Sequence, residues 1–282
     1  MTNDLRFAAR PLDVVDVPAA LDLSLDAGAH GVYVHNVLVA HQDLGKGVEV
    51  IGFFCAEGLV GLAYFGPRGN LLVLLRAQLD PGQVARAIVD ALWHWRIVLA
   101  SSPVVDQLVR ISGLEPLVNR EQIYYRMTRE ELDVLALPEG TSDVRRAEKR
   151  DLECLMDATL HLNESDLRVD RWLVDKTWLR RNTKTRIREG TTYVLGPVGN
   201  PIAKLDIGSK GPAGVVIEGV YTWRRVRGQG LASVLISAVA AEVLIDCPQV
   251  CLHVAASNRA ARRAYHKSGM SPQGSCQLML RG

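Results

Sequence analysis

Cysteine is scarce: five in 282 residues (Cys55, Cys154, Cys247, Cys251, Cys276), too few and too scattered for a disulfide scaffold. Cys247 and Cys251 stand four apart, but no second Cys/His pair completes a zinc-type set, so no metal is expected. An excess of either charge is also missing. The 33 Lys+Arg and 31 Asp+Glu leave a formal net charge of +2, which excludes a nucleic-acid binder driven by bulk charge. No long apolar run is present either: Val234–Ile245 is interrupted by Ser237 and Glu242 and falls short of the about 20 residues that span a bilayer. The opening MTNDLRFAARPLD lacks an apolar core segment, so no secretory signal is predicted. What is there, 48% hydrophobic and 23% charged residues, predicts a globular, reduced, cytoplasmic protein without a membrane or nucleic-acid partner.

A weak internal repeat suggests how the chain is divided. Arg10 precedes Asp16 by six residues, and Arg145 precedes Asp151 by six. In both places the Asp reads as the cap of an amphipathic helix; in the first, Val17, Leu21 and Leu25 recur at helical spacing. Between the copies, Pro138-Glu-Gly-Thr-Ser-Asp143 has the composition of a turn or linker. Two related halves, 1–137 and 138–282, are therefore expected.

The first half predicts strands at Val48–Cys55, Leu59–Phe65 and Leu71–Leu75, then a helix over Pro81–Trp95. Trp93-His94-Trp95 reads as packing at that helix's end. The second half predicts a basic helix over Val169–Arg188 and strands at Thr192–Leu195, Ile202–Ile207 and Val215–Thr222. A helix over Gly228–Ile245, a strand over Val250–Val254, a helix over Asn258–Ser268 and a strand over Gln277–Leu280 complete it. Mixed this way, the elements give an α/β (α+β) fold, with mixed, mostly antiparallel sheets flanked by helices.

The most informative segment is Val220-Tyr-Thr-Trp-Arg-Arg-Val-Arg227-Gly-Gln-Gly230-Leu-Ala232-Ser233. A strand enters a turn of small residues and then directly a helix, so backbone N–H groups at a helix N-terminus are open to an anion such as pyrophosphate. It is neither a Walker A loop nor a dinucleotide GxGxxG. Downstream, Asn258, Ala261 and Tyr265 share one helix face, and Gly269 suits the helix stop.

Together these segments resemble the acetyl-CoA signatures of the GNAT superfamily of N-acetyltransferases. Arg227-Gly-Gln-Gly230-Leu-Ala232 fits the family's Arg/Gln-x-x-Gly-x-Gly/Ala. Asn258, Ala261, Tyr265 and Gly269 fit its Asn-x-x-Ala-x-x-x-Tyr-x-x-x-Gly-Phe, with Met270 in place of Phe. The resemblance covers about 141–282. Residues 1–130 are similar to a degenerate first half of a tandem GNAT fold, with Asp80-Pro-Gly-Gln where the glycine motif would stand.

The resemblance implies acyl transfer, acetyl above all, from acetyl-CoA to a primary amine of a small molecule or a peptide or protein, by direct attack. Arg227, Gly228, Gln229, Gly230, Leu231, Ala232 and Ser233 would hold the pyrophosphate. Val220, Tyr221 and Thr222 would pair with the pantetheine arm, and Asn258 and Ala261 would flank it. Tyr265 is the expected acid for the departing thiolate, or else a core tyrosine. Glu218 is the expected base, or else an anchor for the substrate ammonium or half of a structural ion pair; His253 is a weaker candidate. Arg224, Arg225, Arg259, Arg262 and Arg263 are candidates for the 3′-phosphate. The basic run Arg168–Arg188 is a solvated face or a lip favouring an acidic acceptor. A homodimer is compatible with this reading, and a non-catalytic acyl-CoA sensor is its rival.

Overall fold

The computed structural model describes residues 6–42, 44, 49–137 and 143–282. The first run of elements is β1 (Ala8–Pro11), α1 (Val17–Leu25), α2 (Gly28–Ala40), β2 (Glu49–Cys55), β3 (Gly58–Phe65), β4 (Asn70–Leu75), α3 (Pro81–Asp90), β5 (Ile97–Ala100), α4 (Ser102–Ser112) and β6 (Pro116–Thr128). The same order then recurs: β7 (Val144–Arg146), α5 (Leu152–Leu167), α6 (Lys176–Glu189), β8 (Thr192–Leu195), β9 (Ala203–Gly211), β10 (Gly214–Thr222), α7 (Leu231–Val243), β11 (Gln249–Ala255), α8 (Arg259–Lys267) and β12 (Ser271–Arg281). A mixed α/β fold with sheets flanked by helices is thus what the chain adopts. Among the described residues, no helix is long and apolar enough to cross a membrane.

Two compact units divide the chain. One comprises Met1–Tyr124, Gly211–Ala213 and Gln273–Gly282; the other comprises Tyr125–Lys210 and Gly214–Pro272. The expected linker 138–142, including the cut at residue 138, and Val48 lie outside the described residues.

In the first unit the strands run in the order β1-β2-β3-β4-β5-β12, with β4 and β5 parallel and β12 antiparallel to β5. Side chains alternate across such a sheet, so each strand feeds two cores. Ile51, Phe53, Ala63, Phe65, Leu71 and Val73 pack against Val84 and Ile88 of α3 and Val104 and Leu108 of α4. Val50, Leu62, Tyr64, Leu72 and Leu74 point the other way, onto Ala20 and Leu23 of α1 and Val34 and Leu38 of α2. That double burial explains why β4 reads as an unbroken apolar run. In the second unit the order is β11-β10-β9-β8-β7, with β10 and β11 parallel and β7, β8 and β9 antiparallel. Leu152, Met156 and Leu160 of α5 pack with Leu179 of α6.

Several expected boundaries are corrected. The helix expected over Pro81–Trp95 stops at Asp90, because Leu92 turns left-handed (φ 57°). Trp93 then packs edge-on against Phe65, and Trp95 lies under Arg281. The helix expected over Val169–Arg188 starts at Lys176, where Asp175 accepts the N–H groups of Thr177 and Trp178 at 2.8 and 3.0 Å. In α1 the buried positions are Val17, Ala20, Leu23 and Ser24, while Leu25 is exposed. Helices α2 and α4 were not anticipated.

The repeated Arg and Asp build the same clasp twice: Asp16 and Asp151 stand at the N-cap positions of α1 and α5, but their carboxylates do not bond those helices' N–H groups. Arg10 grips Asp16 with two bonds of 2.6 and 2.9 Å, and Arg145 grips Asp151 at 2.7 and 3.0 Å. In both, the Asp also accepts the backbone N–H three residues before it, Asp13 at 2.8 Å or Glu148 at 2.7 Å, closing a single 3-10 turn between strand and helix. Asp151 takes a further N–H from Gly199 at 2.8 Å, and its side chain is 0% exposed. Burial pushes its carboxyl up, but Arg145 and the two N–H donors outweigh burial and hold it below the ordinary 3.8. A depressed carboxyl stabilises the fold above its unfolded value and loses that contribution as pH falls through the folded one. Asp151→Asn should therefore cost on the order of 3 kcal/mol at neutral pH by thermal or urea unfolding. The gap to the parent should close below the ordinary carboxylate range; a gap independent of pH would contradict the clasp.

Candidate functional site

The candidate site lies in the second unit, where β10 leads into α7. Strand β10 pairs with β11 through Val215↔Val250 and Val216↔Cys251. Beyond that stretch, Gly219 takes a left-handed φ of 59° inside the strand. A Cβ there would meet Asp206 Oδ2 at 2.7 Å and Lys204 Nζ at 3.0 Å, so both the backbone conformation and the space require glycine. This kink separates Glu218 from Val220, Tyr221 and Thr222.

After Thr222 the chain makes one 3-10 turn, Arg224–Val226, and reaches Gly230, the residue capping α7, at φ 77°. The α7 N-terminus has no side-chain cap and no acidic residue in its first turn. The N–H groups of Leu231, Ala232 and Ser233 therefore meet no side-chain acceptor there, which is the electropositive end of a helix held open. Arg227 folds back: its Nε donates to Thr222 O at 3.0 Å, and its guanidinium lies 5.5 Å from the Tyr221 ring centre. A Cβ on Gly230 would lie 3.3 Å from Lys267 Nζ, so a second cation from the end of α8 stands beside the turn. Leu231 and Ser233 face inward. Leu231 is core, and the Ser233 hydroxyl donates to Ala264 O at 2.9 Å, tying α7 to α8.

Strand-to-helix geometry in the first unit differs at the matching place. Five residues join β4 to α3, against eight between β10 and α7. Pro81 has no N–H to offer, and Asp80 puts its own carboxylate on Gln83 N–H at 2.6 Å. An anion is already built into that helix end.

Helix α8 places the other motif residues. Asn258 caps it, its Oδ1 accepting Ala261 N–H at 3.1 Å, which leaves only its side-chain NH2 for a ligand. Tyr265 is 6% exposed, and its ring meets that of Tyr125 edge-on at 5.7 Å. Burial above all, then Asp166 and Tyr125, push its hydroxyl well above the ordinary 10, so it stays protonated at any working pH. Gly269 ends the helix at φ 92°.

Glu218 is half-exposed and paired with Arg186 of α6. Gly208 on β9 makes room for it, since a Cβ there would meet Glu218 Cδ at 2.7 Å. Behind this pair lies a set with no counterpart in the sequence expectations. Lys204 is only 2% exposed and binds Asp206, which also accepts Thr192 Oγ1 at 2.6 Å and stands 4.0 Å from Arg186. Burial opposes the charge of Arg186, but Glu218 and Asp206 outweigh it and hold the guanidinium above its ordinary range. The only local sign was Lys204 and Asp206 at alternate positions among the apolar residues Ala203, Leu205 and Ile207.

Of the remaining candidates, His253 sits on β11. Arg225 bonds Asn200 at 2.6 Å, and Arg262 bonds Ala256 O at 3.0 Å. Among the described residues Arg224, Arg259 and Arg263 have no such partner. Half of the basic run is paired: Arg171 with Asp157, Arg180 with Glu153, Arg186 with Glu218 and Arg188 with Glu189.

Residues 211–275 match the family model described as FR47-like protein. No curated protein matches the chain. Solved structures do. A GCN5-related N-acetyltransferase from Sphaerobacter thermophilus is similar at 18% identity, covering 98% of this chain and 96% of that one, with a TM-score of 0.63. A Drosophila protein aligns at 14% identity over 98% and 99% of the two chains, with a TM-score of 0.67. A tandem GNAT protein of the clavulanic acid biosynthesis pathway aligns at 14% identity over 98% of each chain, with a TM-score of 0.54. The chain has the fold of the GNAT acetyltransferases, and its residues 211–275 match the FR47-like family model.

Proposed function

We propose that the second unit transfers an acyl group, acetyl by preference, from coenzyme A to a primary amine, and that the first unit has lost the coenzyme site. The open α7 N-terminus carries this reading. Its N–H groups, the left-handed Gly230, Arg227 and Lys267 suit a pyrophosphate, whose two negative charges answer the helix end and both cations. Val220, Tyr221 and Thr222 supply strand backbone to the pantetheine arm, and one of their N–H groups polarises the thioester carbonyl. Asn258 NH2 and the Ala261 surface flank that arm. At the α3 end, Asp80 repels what α7 attracts.

The chemistry then divides among named groups. Tyr265, kept neutral by burial, gives its proton to the departing sulfur. Glu218, pinned by Arg186, acts as the anchor for the incoming ammonium. Four arginines of the acidic-acceptor lip, Arg171, Arg180, Arg186 and Arg188, are paired with carboxylates, which weakens that reading. The segment between α5 and α6 instead presents Trp172 and Leu173, 76% and 70% exposed, which favours an amine carried on an apolar or aromatic body.

Calorimetric titration with acetyl-CoA tests the carrying observation. Gly230→Asp would put at α7 the carboxylate that α3 already has, and should weaken binding at least about tenfold more than the neutral Gly230→Asn. Equal losses would show that charge at this helix end is irrelevant. Tyr265→Phe should lower kcat about 100-fold while leaving acetyl-CoA affinity nearly unchanged. Unchanged turnover would remove the acid role. Glu218→Gln should raise the amine KM about tenfold with a smaller change in kcat. A large kcat loss at constant KM would instead make Glu218 the base.

A further inference from the structure

With Glu218 held by Arg186, the proton that the amine must lose needs another acceptor. We propose that His161 of α5, oriented by Asp157, is that general base; the assignment rests on the acyl-transfer reading above. His161 Nδ1 lies 3.0 Å from the backbone O of Asp157 and 3.3 Å from its Oδ2. A carbonyl and an ionised carboxylate only accept, so Nδ1 must carry the hydrogen and the neutral ring keeps its lone pair on Nε2. Among the described residues, Nε2 has no hydrogen-bond partner. Arg171 binds Asp157 in turn and fixes the carboxylate that orients the ring. This is the base-and-orienter arrangement of nucleophile activation, built from an Asp and a His one helical turn apart.

Position supports the role as much as the hydrogen bonding does. The His161 ring stacks on Tyr221, with centres 6.1 Å apart and planes 23° from parallel. Tyr221 belongs to the strand assigned to the pantetheine arm, and Arg227 of the pyrophosphate turn contacts the same ring. The imidazole thus sits beside Tyr221 of β10, the strand that also holds Glu218. The charged and titratable groups around it are Asp157 and Arg171 on one side, and Tyr221 and Arg227 on the other. Asp157 stabilises the imidazolium as it forms.

The step balances on these groups. The ammonium at Glu218 first gives a proton to Nε2, which passes it to water; the freed amine then forms the C–N bond as a second proton passes to Nε2, and the C–S bond breaks. The sulfur takes a proton from Tyr265. Imidazolium then returns its proton to water, and the tyrosinate recovers one from water, leaving amide and free thiol.

The test is thiol release from acetyl-CoA, measured against pH with a panel of an alkylamine, a lysine peptide and an amino sugar. His161→Gln should lower kcat about 100-fold or more and abolish the acidic limb of the kcat/KM profile, with acetyl-CoA affinity kept. Asp157→Asn should lower kcat about tenfold at an unchanged amine KM, with part of the loss recovered in Asp157→Glu, because the ring loses the acceptor that orients Nε2. A packing role would leave the acidic limb in place. The imidazole C–H resonances of His161, assigned by their loss in His161→Gln, should shift on adding acetyl-CoA to the parent. Resonances that stay put at saturation, or a His161→Gln variant with parental kcat and an intact acidic limb, overturn the assignment alone. A parent chain that binds no acetyl-CoA overturns the acyl-transfer reading and this base with it.

Discussion

A helix that begins directly after a strand leaves its first N–H groups pointing past the end of the sheet, and whatever meets them decides what that end can bind. Two such helix ends, at α3 and α7, stand at matching places in the two runs. At α3 the groups meet Pro81, which removes one, and Asp80, which satisfies Gln83 N–H with a carboxylate. At α7 they meet no cap, and Arg227 and Lys267 add positive charge beside them. Such a terminus is electrostatically incomplete by itself. An anion completes it, and the proposed function follows from asking which anion the adjoining strand can also hold.

The two runs share an element order, a parallel pair of strands with the decisive helix between them in the chain, and an Arg–Asp clasp at the start. They differ where chemistry would occur. Tyr265, Asn258, Glu218 and His161 all belong to the second unit, on elements held by the kinked β10 and its buried Lys204–Asp206 support. Burial of a lysine at 2% exposure is tolerated only because Asp206 lies against it, and the same carboxylate stands 4.0 Å from Arg186, which holds Glu218. Packing, backbone strain and the placement of a half-exposed carboxylate are therefore coupled through one strand.

What could be read from the sequence was local. The turn 227–232, the cap at Asn258 and the stop at Gly269 are residue patterns whose conformations depend on their immediate neighbours; α8 keeps to its expected cap and stop, while α7 runs over Leu231–Val243, inside the expected Gly228–Ile245. Glu218 was visible, but its partner Arg186 lies 32 residues away on a helix, and no spacing rule joins them. The Asp157–His161 pair was legible at a separation of four, yet its meaning depends on Tyr221, which only the tertiary fold brings to it. Helix α4 escaped because Val104, Val105 and Leu108 form a short apolar run that suits a strand equally well. The repeated Asp stands at the cap position that its spacing implied, but its carboxylate serves an arginine and a 3-10 turn rather than the α-helix N–H groups.

The central claim is that one helix end of the two receives the coenzyme. Amide hydrogen exchange with and without acetyl-CoA measures that directly, segment by segment. The account predicts slowed exchange across 228–234 and along β10, with exchange over 82–86 unchanged. Protection at 82–86, or none across 228–234 at saturating acetyl-CoA, would contradict it.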